Sequence, residues 1–213
     1  MSMSGADALS PGSPGPAGPP RPARVAIFGG SFNPPHLGHQ MAMLYVLATA
    51  EVDELLMMPC FRHPFEKQLA PFEHRWAMCE RAVEPLGRRV TVSDLEYRLG
   101  GESRTLNTVK ALLGERPGVR VAVVIGSDLM AERERWYGWS ELSALAEFIV
   151  VGRAGTAMGV AAAGEGDAPP LHIPNISSSE VRDRLARGQS VSTWVPACVL
   201  DYIAAHGLYR RAP

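Results

Sequence analysis

The chain has 213 residues, 46% of them apolar and 20% charged, with a formal net charge of −1. This composition predicts one soluble globular domain, since no apolar run approaches the roughly 20 residues that a bilayer span requires. Because 21 Lys and Arg nearly balance 22 Asp and Glu, there is no global positive field to hold a nucleic acid or an anionic membrane. The three cysteines are far apart and in no C-x-x-C pattern, which argues against a disulfide framework or a zinc ribbon and favours a cytoplasmic location.

Proline and glycine are concentrated in two segments. Residues 1–24 contain six prolines and four glycines without apolar periodicity, which predicts a disordered tail. This tail lacks the continuous apolar stretch of a secretory signal. Residues 152–170, which are rich in Gly and Ala, predict a flexible loop inside the domain. We therefore expect one folded domain over residues 25–213.

Between these segments, β-rich runs alternate with helical patterns. Six strands are predicted, in chain order at Arg24–Phe28, Leu55–Met58, Val90–Val92, Val119–Ile125, Phe148–Val151 and Leu171–Ile173. Apolar residues spaced by three and four predict intervening helices, first at Leu37, Met41, Leu44 and Ala48, and then at Phe72, Trp76, Cys79, Val83 and Leu86. The alternation predicts an α/β fold, a Rossmann-like doubly wound parallel sheet with helices on both faces. Such sheets bind ligands at the carboxyl ends of their strands, where the strand order reverses.

The first predicted strand runs directly into the segment Gly29–His39, with the sequence GGSFNPPHLGH. Its two glycines allow the backbone to approach a ligand closely, and a helix that begins after Pro35 offers free N–H groups to an anion. His36 and His39 are three positions apart and project from one side of the first helical turn. A tight turn with two partly exposed histidines is an alternative, as is a zinc pair, although no third ligand stands at metal-site spacing. The location after the first strand favours phosphate binding.

A second candidate phosphate site lies near the C-terminus at Ile176–Arg182, with the sequence ISSSEVR. Ser177 and Glu180 form an S-x-x-E capping box, which predicts a helix start. On its own, this pattern is compatible with a cap and nothing more. Hydroxyls, unpaired N–H groups and Arg182 at a helix start also suit a polyphosphate, and Ser178 and Arg182 share one helical face.

Other candidate residues follow the fourth predicted strand. The carboxylate of Asp128 can accept hydrogen bonds from ribose hydroxyls or cap a helix, and these two roles are compatible. Indole rings can offer a flat face to an aromatic ligand or pack in the core, and core packing is favoured for Trp139 but not for Trp136. A structural helix is predicted to begin at Pro196 and to end at Gly207.

These motifs resemble those of the H-x-G-H nucleotidyltransferases, which link a nucleoside monophosphate from a nucleoside triphosphate to a phosphate acceptor. Within that superfamily the chain is most similar to the bacterial nicotinate-nucleotide adenylyltransferases, over about residues 25–211. The segments that carry the resemblance are FGGSFNPPHLGH at 28–39, IGSDL at 125–129, WYGWSEL at 136–142, ISSSEVR at 176–182 and LYR at 208–210. The resemblance implies transfer of AMP from ATP to nicotinate mononucleotide, giving nicotinate adenine dinucleotide and pyrophosphate in NAD biosynthesis.

The resemblance also implies roles for individual residues. His36, His39 and Arg182 would be catalytic. Contacts to ATP are implied for Gly29, Gly30, Ser31, Phe32, His36, His39, Gly126, Asp128, Ile176, Ser177, Ser178 and Arg182. Contacts to the acceptor nucleotide are implied for Asn33, Lys67, Arg104, Thr105 and Trp136. Mg²⁺ is expected to be held by the phosphates of ATP, without metal-binding residues of the protein.

Two departures from the family pattern leave roles open. The usual P-P-H-K or P-P-H-R appears as RHPFEK at residues 62–67, which displaces the basic group by one position. The family's S-Y-T, which recognises the pyridine carboxylate, appears as Ser103-Arg104-Thr105. Arg104 could pair with the carboxylate of nicotinate, which would strengthen discrimination against the amide, or it could point to solvent.

Two other functions remain as alternatives. The same chemistry could act on nicotinamide mononucleotide, or the chain could be a nucleotide-binding sensor that has kept the fold and lost turnover. The expected partners are ATP and nicotinate mononucleotide, with no nucleic acid and no membrane, in a monomer or a homodimer.

Overall fold

A parallel sheet of five strands forms the centre of the protein, in a computed structural model that describes residues 21–63, 69–130, 132–152 and 173–210. The strands are β1 (Arg24–Gly30), β2 (Glu54–Pro59), β3 (Val90–Val92), β4 (Arg120–Gly126) and β5 (Ala146–Val151). Their order is β3-β2-β1-β4-β5, so the direction of winding reverses between β1 and β4. The predicted Rossmann-like α/β fold is confirmed.

The prediction of a sixth strand at residues 171–173 is wrong for the described part of the chain. Residues 171 and 172 lie outside the description, and Ile173 donates one backbone hydrogen bond to the carbonyl of Gly152, at 3.3 Å. Ile173 is buried against the core. Its apolar character therefore marks burial, while a single bridging residue does not extend into a strand.

Eight α-helices occur in the described residues. They are α1 (Leu37–Thr49), α2 (Phe72–Val83), α3 (Leu95–Leu99), α4 (Thr105–Glu115), α5 (Ser127–Met130), α6 (Trp139–Leu145), α7 (Ser178–Ala186) and α8 (Ala197–Ala205). Short 3₁₀ turns occupy Glu84–Leu86 and Arg133–Arg135. The helix predicted from Leu37, Met41, Leu44 and Ala48 is confirmed as α1, although Leu44 is half exposed and the buried residues are Gly38, Ala42, Met43 and Val46.

The two faces of the sheet are covered by different helices. Side chains along a strand alternate between faces, so neighbouring residues of β1 enter separate cores. One core joins Ala26 and Ala122 to Met43 and Val46 of α1 and to Cys79 and Val83 of α2. The other joins Val25, Ile27, Val121 and Val123 to Val109 and Leu112 of α4 and to Leu142 of α6. Helices on both faces leave the carboxyl ends of the strands open to a ligand.

A third apolar cluster places the C-terminal helices beside the start of α1. It comprises Met78, Ala82, Val181, Val191, Val195, Val199 and Ile203, contributed by α2, α7, α8 and the segment between α7 and α8. Next to it, the N–H of Leu37 donates to the carbonyl of Trp194 at 2.8 Å. The predicted limits of the closing helix are confirmed, since Pro196 precedes α8 and Gly207 follows it with φ of 61°.

Parts of the chain singled out by composition fall mostly outside the described residues. This applies to residues 1–20 of the predicted tail, to residues 153–170 of the predicted loop, and to residues 64–67 of the altered RHPFEK segment. Arg21, near the end of the predicted tail, forms an ion pair with Asp53 at 2.8 Å. Within the described ranges, none of the helices is both apolar and long enough to cross a bilayer.

Candidate active site

A cavity of about 730 Å³ opens at the carboxyl ends of the central strands. Its walls include Gly29 and Gly30 at the end of β1, Met58 of β2, and Ile125 and Gly126 at the end of β4. This is the point at which the strand order reverses, where sheets of this type bind their ligands. The sequence pattern led us to expect a ligand at this edge.

The segment between β1 and α1 forms a tightly packed wall of the cavity. A Cβ atom on Gly30 would lie 2.9 Å from the ring of Phe32, so no larger residue fits there without moving that ring. Phe32 is itself buried, and its backbone adopts φ of 45°. Ser31, Phe32 and Asn33 all line the cavity beside the two glycines. The predicted phosphate-binding segment therefore presents its backbone to the cavity in a fixed shape.

The two histidines of this segment are stacked on each other. His36 precedes α1 and His39 lies in its first turn, and their ring centroids are 3.6 Å apart with an angle of 21° between the planes. The backbone N–H of His36 donates to Nδ1 of His39 at 3.1 Å. Because Nδ1 accepts this bond, a neutral His39 carries its proton on Nε2. Both rings line the cavity.

Gly38 packs closely against the ring of the first histidine. A Cβ atom at this position would lie 3.1 Å from both Cε1 and Nδ1 of His36. A side chain at this position would therefore require the His36 ring to shift by a few tenths of an ångström. The glycine of the H-x-G-H pattern thus has a steric role.

The first turn of α7 is fastened to the same segment. The predicted cap is confirmed, because the N–H of Glu180 donates to Oγ of Ser177 at 3.1 Å. Oγ of Ser178 donates to the carbonyl of Pro34 at 2.9 Å, and Nη1 of Arg182 donates to the carbonyl of Asn33 at 2.8 Å. Ser177, Ser178, Arg182 and the preceding Ile176 all line the cavity. The structure thus brings the two predicted phosphate sites together.

The opposite end of the cavity is built around the start of α4. Arg104 occupies the position before the helix and makes no side-chain cap, so the first N–H groups of α4 have no partner within the helix. Thr105 and Ser103 line the cavity there, together with Trp136. Oγ of Ser103 accepts a hydrogen bond from the N–H of Phe61 at 2.9 Å, which fixes the approach to the helix. The cavity therefore has helix starts on two sides.

The two tryptophans after β4 differ in their relation to the cavity. Both indoles pack against the core between the sheet and α4, and Trp139 also packs on Phe148, with ring centroids 4.8 Å apart. Of the two, Trp136 also lines the cavity. The indole of Trp136 is thus the one placed to meet a ligand ring.

Substrate contacts were also predicted for three residues that are not among the described lining residues of the cavity. Arg104 is not among the lining residues; its guanidinium pairs with Glu102 at 2.5 Å and lies 5.8 Å from the ring of Tyr137. Lys67 lies outside the described residues, as does the side chain of Asp128. The backbone of Asp128 belongs to α5, directly after the cavity-lining Gly126.

Sequence reasoning missed a buried arginine that supports the cavity. Arg75, on α2, is 1% exposed and donates hydrogen bonds to four backbone carbonyls. The acceptors and donor-acceptor distances are Ala70 at 2.9 Å, Ser31 at 3.1 Å, Cys60 at 2.7 Å and Phe61 at 3.3 Å. A single cation therefore joins the loop after β1 to the loop after β2. The one sequence feature that pointed to this role was the position of Arg75, immediately before Trp76 in the apolar pattern that predicted α2.

A buried polar pair near the start of α4 was also missed. The carboxylate of Glu96 accepts a hydrogen bond from the hydroxyl of Thr108, and both residues line the cavity. The backbone N–H of Thr108 donates to the carbonyl of Arg104 at 3.1 Å. The pair holds the first turn of α4 against α3. Nearby, burial raises the pKa of the Cys60 thiol above its ordinary value, which keeps this cavity-lining group neutral.

Comparison with known proteins places this geometry among the nucleotidyltransferases. The sequence profile of the cytidylyltransferase-like family matches residues 27–184. A protein of Anaeromyxobacter dehalogenans (strain 2CP-C), named "Probable nicotinate-nucleotide adenylyltransferase", is 45% identical over 193 residues, which cover 87% of this chain and 96% of that protein. A protein of Myxococcus xanthus with the same name is 41% identical and covers 89% of this chain and 97% of its own length.

Solved structures show the same fold. The nicotinic acid mononucleotide adenylyltransferase of Plasmodium falciparum, solved in complex with NaAD, superimposes with a TM-score of 0.71 at 22% identity. The match covers 88% of this chain and 97% of the parasite chain. A second structure of that protein, complexed with APC, gives a TM-score of 0.72.

Removing the charge of Arg75 is expected to destabilise the protein and to disorganise the cavity. Arg75→Met keeps much of the aliphatic stem but leaves four carbonyls without their donor, so the free energy of unfolding should fall by about 3 kcal/mol or more. Urea unfolding measures this change. Arg81→Met is the matched control, because Arg81 lies on the same helix and donates to one carbonyl, that of Ala77. Equal losses in the two variants would contradict the role given to Arg75.

Proposed function

The chain belongs to the cytidylyltransferase-like family and, within it, to the nicotinate-nucleotide adenylyltransferases, and on this premise we propose how its own residues carry out the reaction. The AMP part of ATP is joined to nicotinate mononucleotide, and pyrophosphate is released. One observation carries the proposal: a single cavity contains the stacked histidines and the first turns of α4 and α7. It thus offers hydrogen-bond donors to phosphates at one end and an aromatic surface with a second helix start at the other.

The reaction is an in-line displacement at the α-phosphorus of ATP. An oxygen of the acceptor 5′-phosphate forms the new bond, while the bond from the α-phosphorus to the bridging oxygen breaks and its electron pair leaves with pyrophosphate. Phosphate monoesters have a second pKa of about 6, so the attacking oxygen is already ionised at neutral pH and needs no general base. Catalysis then consists of positioning two anions and stabilising the charge that develops between them.

The histidines are the proposed donors to that developing charge. The bond from the backbone of His36 to Nδ1 of His39 fixes the ring orientation, so that Nε2–H is the donating end of His39. The stack on His36 and the edge of Phe32, at 4.9 Å between ring centroids, hold the ring in place. A donor held before the substrate arrives does not have to reorganise during the reaction.

The start of α7 and Arg182 are proposed to hold the triphosphate. The hydroxyl proton of Ser178 is engaged by Pro34, so Ser178 contributes its backbone and fixes the helix start. Arg182 uses Nη1 for the carbonyl of Asn33 and Nη2 for the hydroxyl of Ser179 at 3.3 Å, and its remaining N–H groups are proposed to reach the phosphate oxygens. Partial positive charge at the helix start supports the same contact.

Mg²⁺ is proposed to be bound by the phosphate oxygens of ATP. The donors that line this end of the cavity are imidazoles, hydroxyls, amides and a guanidinium, whereas Mg²⁺ prefers carboxylate and phosphate oxygens. When bound, the ion neutralises part of the triphosphate charge and stabilises the leaving pyrophosphate. The described residues contain no group of three or more His, Cys, Asp or Glu able to hold a metal.

The start of α4 is proposed to bind the carboxylate of nicotinate. Its first N–H groups have no partner in the helix, and Ser103 and Thr105 bring hydroxyls to the same place. An anionic carboxylate gains more from such donors than a neutral amide does. Trp136 offers its indole face to the pyridine ring. This arrangement favours the acid nucleotide over the amide.

Pyrophosphate release from ATP with each acceptor tests the proposal. The acid nucleotide is expected to give kcat/KM at least tenfold above that of the amide nucleotide. Equal or reversed values would assign the amide as acceptor. Tight binding of ATP without release of pyrophosphate from either acceptor would make the chain a sensor and would refute the proposed reaction.

His39→Ala is expected to lower kcat by a hundredfold or more while the fold stays intact. Loss of one preorganised donor to a developing oxyanion costs about 3 to 4 kcal/mol of transition-state stabilisation. Steady-state kinetics and circular dichroism measure the two parts of this prediction. The control is His206→Ala, because His206 is exposed, directly follows α8 and does not line the cavity. Turnover of His39→Ala near that of the control would contradict the role of His39.

Arg104 is expected to act on the acceptor through its charge alone. Its pairing with Glu102 keeps the guanidinium at the rim, where electrostatic attraction is screened by salt. Arg104→Gln should therefore lower kcat/KM for the acid nucleotide about threefold at low salt, with no difference from wild type in 0.5 M NaCl. If the variant instead lost its preference for the acid, Arg104 would have to contact the carboxylate directly.

The dependence of rate on Mg²⁺ should follow the formation of MgATP. Excess EDTA is expected to stop turnover, and added Mg²⁺ should restore it until the ion matches the ATP concentration. Initial rates at several fixed ATP concentrations provide the measurement. A further rise in rate at millimolar free Mg²⁺, above the ATP concentration, would indicate a separate site on the protein.

A further inference from the structure

The side chain of Tyr209, close to the C-terminus, reaches the phosphate-binding segment that follows β1. Its hydroxyl donates to Oδ1 of Asn33 at 2.7 Å, across 176 positions of sequence. Asn33 is 1% exposed and lines the cavity, whereas Tyr209 is not among the lining residues. Tyr209 therefore supports Asn33 from behind and does not itself face the cavity.

The contacts of Asn33 determine which end of its carboxamide is directed to a ligand. Oδ1 accepts a second hydrogen bond, from the N–H of Ala70 at 3.1 Å. Both acceptor positions of the oxygen are then used, and the amide is planar, so Nδ2 lies at the opposite end. Among the described residues, none accepts a hydrogen bond from Nδ2 of Asn33. Two N–H donors at this place suit a phosphate oxygen.

The backbone at Tyr209 is held in a conformation that a bulky residue rarely adopts. Its φ is 62°, in the left-handed region. The chain arrives there through the turn that ends α8, in which Leu208 N–H donates to the carbonyl of Ile203 at 3.0 Å and Gly207 N–H to that of Ala204 at 3.3 Å. Burial raises the pKa of the Tyr209 hydroxyl above its ordinary value, so it keeps its proton and stays a donor.

We propose that Tyr209 is a positioning residue for the reaction, which fixes the carboxamide of Asn33 so that its amide hydrogens meet a phosphate oxygen at the reaction centre. The backbone carbonyl of Asn33 also accepts the hydrogen bond from Arg182 at 2.8 Å. Asn33 is thus the point where the C-terminus, the phosphate-binding segment and α7 meet. This inference rests on the proposed adenylyl transfer and adds to it a residue outside the cavity.

Tyr209→Phe removes the hydroxyl and keeps the ring. Because the lost interaction orients a donor that acts in the transition state, kcat should fall about tenfold, with KM for both substrates within twofold of wild type. The matched control is Tyr202→Phe, since the hydroxyl of Tyr202 on α8 is also hydrogen-bonded, to Nδ1 of His74 at 2.9 Å. Similar falls of Tm in the two variants, together with unchanged kcat in the control, are expected. Equal kcat values in the two variants would overturn the proposal.

A double-mutant cycle tests whether the effect passes through Asn33. In an Asn33→Ala background, Tyr209→Phe should lower kcat by less than twofold, because the amide that it orients is gone. The same tenfold loss in both backgrounds would overturn the proposal. A readout without turnover is the pair of Asn33 side-chain amide signals in ¹⁵N-correlated NMR spectra, assigned by their loss in Asn33→Ala.

These signals should shift in Tyr209→Phe and not in Tyr202→Phe. If the signals coincide in wild type and Tyr209→Phe, the role of Tyr209 is overturned, whichever acceptor nucleotide the enzyme uses. Absence of pyrophosphate release in the wild type would instead refute the proposed function, and the NMR comparison would still decide whether Tyr209 orients Asn33.

Discussion

The guanidinium of Arg75 lies among backbone carbonyls of chain segments that leave two neighbouring strands. Ser31 follows β1, while Cys60 and Phe61 follow β2, and each of the three accepts a hydrogen bond from it. A parallel sheet does not by itself fix the loops at its carboxyl edge, since those loops have left the ladder of backbone hydrogen bonds. A buried cation with several fixed donors supplies that constraint here. The shape of the cavity depends on this contact.

Once these loops are fixed, hydrogen bonds connect other elements of the structure to them. Ser178 and Arg182 of α7 bond to the carbonyls of Pro34 and Asn33, and Tyr209 bonds to the side chain of Asn33. His36 and His39 come shortly after this segment, at the start of α1, where Gly38 leaves room for the His36 ring. The groups proposed to donate to phosphate are therefore held in place by contacts within the protein. A net charge of −1 is compatible with the proposed function, because Arg182 and the proposed hydrogen-bond donors line one cavity.

Features that depend on residues close together in the sequence were predictable. The helix start capped by Ser177, the end of α8 at Gly207 and the winding of the sheet each depend on local spacing, and the structure has them as expected. Predictions failed where burial is decided by distant parts of the chain. Leu44 matched the helical stripe of α1 but lies half exposed, and the apolar Ile173 marks a buried contact without continuing into a strand.

The unpredicted residues of the site share one property, which is that their hydrogen-bond partners belong to other helices or loops. An arginine within an apolar stripe normally extends its charge to solvent, and only the arrival of loop carbonyls at Arg75 makes its burial favourable. Tyr209 belongs to a closing motif that sequence reasoning treated as structural, yet its partner is 176 positions away. Glu96 and Thr108 stand on two different helices.

The central mechanistic claim is that the protein positions both substrates and forms no covalent bond to the nucleotide, although two histidines stand at the reaction centre. Stereochemistry at the α-phosphorus tests this most directly. The substrate would be one diastereomer of adenosine 5′-O-(1-thiotriphosphate), and the configuration of the thio-dinucleotide would be determined by ³¹P NMR. A single in-line displacement predicts inversion. Retention would require two displacements through an enzyme-bound nucleotide and would contradict the account.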